Sequence, residues 1–204
     1  DPKALTNFNL SVAVTNEFME AVEKDSEYSL INPRTGESVD KLSAREIFQK
    51  ITDMAWRTGD PGIVFLDNIN GYNPTPHLGK IESTNPCGEQ PLLPFESCNL
   101  ASINLSKMVK NEDTQPEIDY SKLGQTVRLG VRFLDNVIDV NKFPLSQIEK
   151  MTKATRKIGL GVMGFADMLI KLRIAYNSDK ALEVAENVMH FISEEATKES
   201  VRLG

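Results

Sequence analysis

The stretch that decides how this chain is interpreted is residues 82–100, ESTNPCGEQPLLPFESCNL. It contains both cysteines of the chain, Cys87 and Cys98, and its apolar residues follow no helical period. Six of the ten prolines lie from Pro61 to Pro94, and proline lacks a backbone donor and fixes φ. The region therefore predicts a long, stiff excursion of the chain, and such excursions inside compact domains are commonly functional.

Outward from this stretch, predicted strands alternate with predicted helices. Strands are predicted at 9–14, 62–66 and 100–109. Helices are predicted after Thr15, at 43–58, at 120–140, at about 145–154, through the segment GFADMLIKL, and from Ser178 onward. The run at 62–66, GIVFL, is continuously apolar, which indicates a strand buried on both faces. The alternation predicts an α/β fold with parallel strands, right-handed crossovers and a ligand site at the strand ends.

Composition narrows the function classes. The net charge of −6 and pI near 5.1 argue against nucleic acid as a partner. No apolar run has the length of a membrane span and no leader pattern is present, so we expect a cytoplasmic protein without a membrane partner. In that reducing compartment a lone pair of cysteines is more often catalytic or redox-active than structural. The first and last residues have the character of an excerpt from a longer protein.

Three polar side chains alternate around Cys87. If the segment is extended, Asn85, Cys87 and Glu89 point to one face, which combines a thiol, a carboxylate able to act as a general base and an amide able to orient a hydroxyl. Pro86 would stiffen the backbone, and Gly88 would let it approach a ligand closely. The alternative is that Cys87 is a small buried hydrophobic residue, as most free cysteines are.

Cys98 lies eleven positions after Cys87, a spacing that matches neither a zinc pair nor a CxxC redox motif. A disulfide between the two is an alternative. The chain has two histidines, His77 and His190, which are too few and too far apart in sequence to predict a metal site.

The residues now support a family resemblance. STNPCGEQPLLPFESCNLASINL closely resembles the catalytic finger loop of ribonucleotide reductase large subunits, in the form typical of the adenosylcobalamin-dependent class. The resemblance extends, in the family's order, to TNFNLSVAVTNEFMEAV, LINPRTGE, GDPGIVFLDNIN and RKIGLGVMGFADML. It implies that residues 1–204 are the central portion of a single ten-stranded α/β barrel domain. The finger loop, at about 80–98, would enter the closed barrel and hold Cys87 away from water.

The resemblance also implies a role for each site residue. Cys87 would become a thiyl radical and abstract the substrate 3′ hydrogen, while Glu89 would take the proton of the 3′ hydroxyl. Asn85 would hydrogen-bond substrate hydroxyls. Cys98 would be one member of the dithiol that supplies electrons as the 2′ hydroxyl leaves as water. The expected substrate contacts are Ser83, Thr84, Asn85 and Gly88.

The implied reaction is reduction of ribonucleotides to 2′-deoxyribonucleotides, the precursors of DNA. The radical would come from a cofactor, since no protein side chain generates one unaided, and the resemblance implies that this cofactor is adenosylcobalamin. The implied partners are a ribonucleoside diphosphate or triphosphate, a thioredoxin-type reductant, nucleotide effectors bound outside this chain, and a second copy in a homodimer. In the family the partner of Cys98 lies well upstream, and no cysteine precedes Cys87 here, so the chain alone is expected to be inactive. The class that uses a metal radical and a separate small subunit is the alternative within the family.

Two rival interpretations come from other classes. GLGVMG at 159–164 matches the G-x-G-x-x-G fingerprint, with Asp179 at a suitable distance for a ribose contact, which suggests an NAD-dependent dehydrogenase. However, KATR at 153–156 is mostly polar where that motif needs an apolar strand. The other rival is a non-catalytic remnant whose thiols are buried. Four basic residues are either phosphate ligands or parts of solvated helix faces: Arg128, Arg132, Arg156 and Lys157.

Overall fold

The computed structural model describes residues 7–204, which belong to two compact units. The first unit ends at Phe95, and the second is Glu96–Gly204. Thr6, the first residue of the segment TNFNLSVAVTNEFMEAV, lies outside the described residues. Each unit contains one pair of parallel strands joined by a crossover that includes helices.

The described part of the first unit contains six strands and three helices. In chain order they are β1 (Ser11–Val14), α1 (Asn16–Glu23), β2 (Glu27–Ile31), β3 (Ser38–Ser43), α2 (Ala44–Thr58), β4 (Gly62–Phe65), α3 (Leu66–Gly71), β5 (Ser83–Thr84) and β6 (Pro91–Leu92). Strand β1 pairs with β4 in parallel, with Ser11 opposite Gly62. Strands β2 and β3 form an antiparallel hairpin inside this crossover, where the sequence analysis predicted no strand.

Local capping explains where the first two helices begin and end. The Thr15 hydroxyl accepts a hydrogen bond from the Phe18 N–H at 3.2 Å, and the Ser43 hydroxyl accepts one from the Glu46 N–H at 3.3 Å. Gly59, with φ of +85°, ends α2 in the left-handed conformation that glycine adopts without a steric penalty. These predicted helix boundaries are confirmed.

The prediction that 62–66 is buried on both faces is wrong. Ile63 is 37% exposed and Phe65 is 44% exposed. The reason is that, within residues 7–204, β4 has a single neighbour, β1, so its outer edge and much of its surface are uncovered.

The second unit consists of four strands, a 3₁₀ turn and four helices. They are β7 (Asn99–Asn104), the 3₁₀ turn (Leu105–Lys107), β8 (Val109–Lys110), β9 (Glu117–Ile118), α4 (Tyr120–Val140), α5 (Ser146–Thr155), β10 (Ile158–Met163), α6 (Phe165–Lys171) and α7 (Asp179–Leu203). Strand β10 pairs with β7 in parallel, Ile158 lying opposite Asn99. The strand predicted at 100–109 is therefore shorter than expected, because the 3₁₀ turn interrupts it.

Helix α4 organises the core of the second unit. Its apolar positions recur at helical spacing and are all at most 3% exposed: Leu123, Val127, Val131, Leu134 and Ile138. They face α7, whose buried residues include Val184, Val188 and Ile192. Burying one such side chain stabilises a fold by about 1.5–3 kcal/mol, so this helix pair is a major source of stability.

The fold class is α/β with parallel strand pairs, as predicted. The expected ten-stranded barrel is not closed by residues 7–204, whose strands form five two-stranded sheets. Each parallel pair would need further strands on both of its edges to become part of a barrel. Within the same residues, no helix is both long and apolar enough to cross a bilayer.

Candidate active site

Cys87 lies in the connection of a short hairpin. Strand β5 pairs with β6 so that Ser83 is opposite Leu92 and Thr84 is opposite Pro91. We call residues 83–92 the Cys87 hairpin. Asn85, Cys87 and Glu89 thus all lie in the connection between β5 and β6, within the first unit.

The condition under which Asn85, Cys87 and Glu89 would share one face, an extended segment at 85–89, is not met. The Asn85 N–H donates to the Gln90 carbonyl at 3.0 Å, and the Gln90 N–H donates to Asn85 Oδ1 at 3.0 Å. The Gly88 N–H donates to the Asn85 carbonyl, also at 3.0 Å, and Gly88 has φ of +83°. Because these bonds draw Asn85 and Gln90 together, the chain between them must turn. Glycine in the left-handed region makes that turn inexpensive.

Cys87 and Glu89 are both exposed. The expectation that Cys87 is enclosed in an apolar interior is therefore not met by residues 7–204, because the barrel that would enclose it is not closed. The same exposure contradicts the alternative that Cys87 is a buried hydrophobic residue. Both cysteines, which fall in the described part of the chain, are thiols, so the alternative of a Cys87–Cys98 disulfide is wrong.

A cleft of about 420 Å³ adjoins the start of the hairpin. Its lining combines β1 and the chain before it, one residue of β4, and the segment that leads to Cys87: Asn7, Phe8, Asn9, Ser11, Ala13, Val64, Glu82, Ser83, Thr84, Asn85 and Pro86. Three of the four predicted substrate contacts, Ser83, Thr84 and Asn85, thus line one cleft. Gly88 is not among the lining residues, and neither are Cys87 and Glu89.

The sequence analysis missed the contribution of β1 to this cleft. Asn9, Ser11 and Ala13 line it at alternate positions. A signal was available, since these small or polar residues alternate with Leu10, Val12 and Val14 in sequence. The alternation was used to predict a strand but not to assign its polar side to a ligand.

Asn70, at the end of α3, was also missed. Its side-chain amide hydrogen-bonds both backbone groups of Ile81, accepting from the N–H at 2.8 Å and donating to the carbonyl at 2.9 Å. Ile81 is 5% exposed and lies two residues before the Cys87 hairpin. No sequence pattern indicated this contact, because the partners are eleven residues apart in an irregular segment.

Cys98 lies in the second unit, half-buried, directly before β7. Two residues earlier, the Glu96 carboxylate has no exposed side-chain area and pairs with Lys157 Nζ at 2.9 Å. The hydroxyls of Ser97 and Thr152 are 2.7 Å apart. The two residues before Cys98 are therefore attached by polar side-chain contacts to Lys157, directly before β10, and to Thr152 in α5.

The basic residues that were candidate phosphate ligands have carboxylate partners within the second unit. Arg156 donates to Asp135 at 2.8 Å and to Asp139 at 2.9 Å. The hydrogen bond from the Arg156 guanidinium lowers the pKa of Asp139 below its usual value, and the same carboxylates raise the pKa of Arg156. Arg128 pairs with Glu195, Arg132 with Glu199 and Lys157 with Glu96. These ion pairs explain the presence of the four basic residues, and no bound phosphate is needed to explain them.

The GLGVMG motif does not form a dinucleotide-binding turn. Gly159 and Gly161 lie inside β10, opposite Leu100 and Ser102, whereas the fingerprint places its glycines in the turn after the strand. Gly164 precedes α6 with φ of +69°, and a Cβ there would lie 2.5 Å from Asn104 Oδ1. The glycines permit close packing of β10 against β7 and of the turn before α6. The dehydrogenase alternative is therefore wrong.

With this geometry in place, the chain can be compared with known proteins. The sequence model of the family described as the ribonucleotide reductase barrel domain matches residues 1–204. The chain belongs to the ribonucleotide reductase barrel-domain family.

Relatives within the family are similar to the chain over nearly its whole length. A vitamin B12-dependent ribonucleoside-diphosphate reductase of Thermoplasma acidophilum is 58% identical over 98% of this chain and 26% of its own length. One of Mycobacterium tuberculosis is 48% identical over 99% of this chain and 29% of its own length. A vitamin B12-dependent ribonucleotide reductase of Streptomyces avermitilis is 33% identical over 97% of this chain and 20% of its own length. The chain thus spans about a quarter of the length of these curated relatives.

Proposed function

We propose that the protein containing this chain reduces ribonucleotides to 2′-deoxyribonucleotides by thiyl-radical chemistry, and that this chain supplies the radical cysteine, Cys87. The observation that carries the proposal is the Asn-Pro-Cys-Gly-Glu turn at 85–89, which continues from a cleft lined by Ser83, Thr84 and Asn85 in a member of this family. The names of two relatives specify ribonucleoside diphosphates, which favours a diphosphate over a triphosphate substrate.

Each residue has a separate task in the proposed reaction. The Cys87 thiyl takes the hydrogen atom from the 3′ carbon, and Glu89 accepts the proton of the 3′ hydroxyl as a general base. Asn85 orients the sugar hydroxyls, while Ser83, Thr84 and Gly88 contact the substrate. The 2′ hydroxyl leaves as water. Cys98 and a partner cysteine outside this chain together supply two electrons and two protons and become a disulfide, and the 3′ hydrogen returns from Cys87.

The radical needs a cofactor, and the names of the relatives support adenosylcobalamin. When bound, this cofactor supplies the one-electron chemistry that converts a thiol to a thiyl. The cleft of about 420 Å³ suits a nucleoside-sized ligand and is too small for a corrinoid. We therefore assign no residue of this chain to cobalamin.

A thiyl radical also requires protection from water, which the exposed Cys87 lacks within residues 7–204. In the proposed holoenzyme that cover comes from the remaining strands of a ten-stranded barrel, which the finger loop at about 80–98 enters. A thioredoxin-type reductant, nucleotide effectors and a second copy of the protein complete the proposed cytoplasmic assembly.

The test uses two cysteine variants of the full-length protein. Cys87→Ser should abolish loss of the substrate 3′ hydrogen, because serine cannot form the thiyl. Cys98→Ser should permit this first step, detected by trapping the substrate radical in a single turnover, but block completion of the reductive cycle. Deoxyribonucleotide formation by Cys87→Ser at the wild-type rate would overturn the proposal.

A further inference from the structure

We propose that Asn70 is a positioning residue for the Cys87 hairpin: its amide fixes the backbone of Ile81 and thereby the entry of the chain into the hairpin. This role deepens the proposed function, on which it rests for its catalytic consequence. The effect of Asn70 on the backbone can be tested independently of the proposed function.

Three hydrogen bonds define the contact. Asn70 Oδ1 accepts from the Ile81 N–H at 2.8 Å, and Asn70 Nδ2 donates to the Ile81 carbonyl at 2.9 Å and to the Leu66 carbonyl at 3.0 Å. The first two satisfy both backbone groups of one residue, as a neighbouring strand would. The third ties the same amide to the beginning of α3. We call these three bonds the Asn70 bridge.

The bridge lies where it controls the hairpin. Ile81 is 5% exposed, and a single residue, Glu82, separates it from β5. Leu93, directly after β6, is 3% exposed. The hairpin is thus anchored by a buried residue on each side, whereas Cys87 at its turn is exposed. A hairpin of two residue pairs is marginal by itself, so its anchors set the position of the turn.

A second asparagine supports the same segment. Asn73 Nδ2 donates to the Gly79 carbonyl at 3.0 Å, and Asn73 Oδ1 accepts from the Thr75 N–H at 2.9 Å. Two amides from α3 and the residues after it therefore hold residues 79–81. An amide serves here because it presents a donor and an acceptor side by side, which neither a carboxylate nor an aliphatic side chain can do.

The chemistry of the bridge suggests a diagnostic substitution. In Asn70→Asp the carboxylate can accept from the Ile81 N–H, but it directs negative charge at the carbonyls of Ile81 and Leu66. Protonation of the introduced carboxyl restores one donor beside one acceptor. The variant should therefore recover as pH falls. Asn68→Asp is the matched control, since Asn68 is on the same short helix and is exposed.

The experiment compares full-length wild type, Asn70→Asp, Asn70→Ala and Asn68→Asp. At pH 8 we expect kcat of both Asn70 variants to fall at least about tenfold per folded molecule, with substrate KM changed less than threefold. Relative to wild type at each pH, Asn70→Asp should regain activity as pH falls from 8 to 5, because the carbonyls of Ile81 and Leu66 would hold the pKa of the introduced carboxyl above its ordinary value of about 4. Asn70→Ala should show no such recovery. Amide hydrogen exchange at Ile81, Asn85 and Gln90 should accelerate at least tenfold in both variants at pH 8. Asn68→Asp should match wild type in every measurement.

Three results would overturn the role of Asn70. They are unchanged exchange in the hairpin, equal effects of the Asn68 and Asn70 substitutions, or a pH-independent loss that follows the folded fraction alone. If Asn70→Ala does not fold, comparing the activity of Asn70→Asp at the two pH values still tests the role of Asn70. If the wild type itself forms no deoxyribonucleotide, the proposed function fails while hydrogen exchange still tests the bridge.

Discussion

The two units of this chain are stabilised in different ways. The second unit has a cluster of eleven buried residues formed by α4, α6, α7 and the strand region around Ile103. The described part of the first unit has a buried cluster of three, Ala21, Val22 and Ala44. The first unit nevertheless carries the candidate radical cysteine, and side-chain amides hold the segment that leads to it. The comparison teaches that packing supplies the scaffold of one unit, whereas hydrogen bonds determine the position of the loop in the other.

The largest expected effect tests the difference between the two cores. Leu123→Ala, at a side chain with 0% exposure, should destabilise the second unit by about 3 kcal/mol, because the substitution leaves a cavity in a packed core. Val22→Ala in the small cluster should cost only about 1 kcal/mol. Thermal unfolding of the full-length protein, combined with hydrogen exchange in each unit, measures both. Equal losses at the two sites would break the comparison.

The next effect concerns the ion pair between Glu96 and Lys157, a buried polar contact in the unit with the larger apolar core. Lys157→Met should cost about 2 kcal/mol, because it leaves the fully buried Glu96 carboxylate without its cation, and the cost is below that of a fully buried pair because Lys157 is 21% exposed. Adding Glu96→Gln should recover part of that loss by removing the buried charge. Lys153→Met is the control, since its partner Glu149 is 48% exposed, and such surface pairs contribute less than about 1 kcal/mol.

Lys157→Met could also slow the oxidation of Cys98 in a single turnover. In that case polar contacts position both cysteines, and the two units differ less in how they position their cysteines. A stability loss no larger than that of Lys153→Met would show that the Glu96 contact is not a strong one.

The smallest expected effect is the pH dependence of the Arg156 contacts. The pKa of Asp139 is lower in the folded protein than in the unfolded chain because of the Arg156 hydrogen bond. A lowered folded pKa contributes stability at pH values above the unfolded pKa, which is about 4, and that stability is lost as pH falls through the folded value. Asp139→Asn should therefore be slightly less stable than wild type at pH 6 and equal to it in strong acid.

Chemical denaturation across this pH range measures the Asp139 effect. Arg156→Gln should remove the pH dependence of the difference, since it removes its cause. A difference between wild type and Asp139→Asn that grows as the solution becomes more acidic would contradict the assignment.

The sequence predicted best what is determined locally. Helix α4 was predicted at its observed bounds because its apolar residues recur at helical spacing and form one continuous buried face. The caps at Thr15, Ser43 and Ser178 depend on residues three positions apart, so they too were predictable. The family was identified because the segment around Cys87 resembles a family pattern, whereas the finger loop at about 80–98 stays a prediction.

What the sequence did not predict depends on pairing between distant residues. The β2–β3 hairpin and the exposure of β4 depend on which strands meet, and no local pattern determines that. The turn at 85–89 forms because Asn85 binds Gln90, which overrides the alternating pattern that suggested an extended strand. The cleft was predicted in part, through Ser83, Thr84 and Asn85, whereas Asn9 and Ser11 take part through tertiary structure. The catalytic roles of Cys87, Glu89 and Cys98 stay predictions.

The two parallel pairs, β1–β4 and β7–β10, have a practical consequence. Within residues 7–204 each pair has two outer edges whose backbone donors and acceptors have no strand beside them. Such edges are templates for intermolecular β-pairing, and they are most hazardous when apolar side chains such as Phe65 and Leu100 are exposed next to them. We expect residues 7–204 expressed alone to aggregate as the protein concentration rises. Enzyme assays should therefore use the full-length protein.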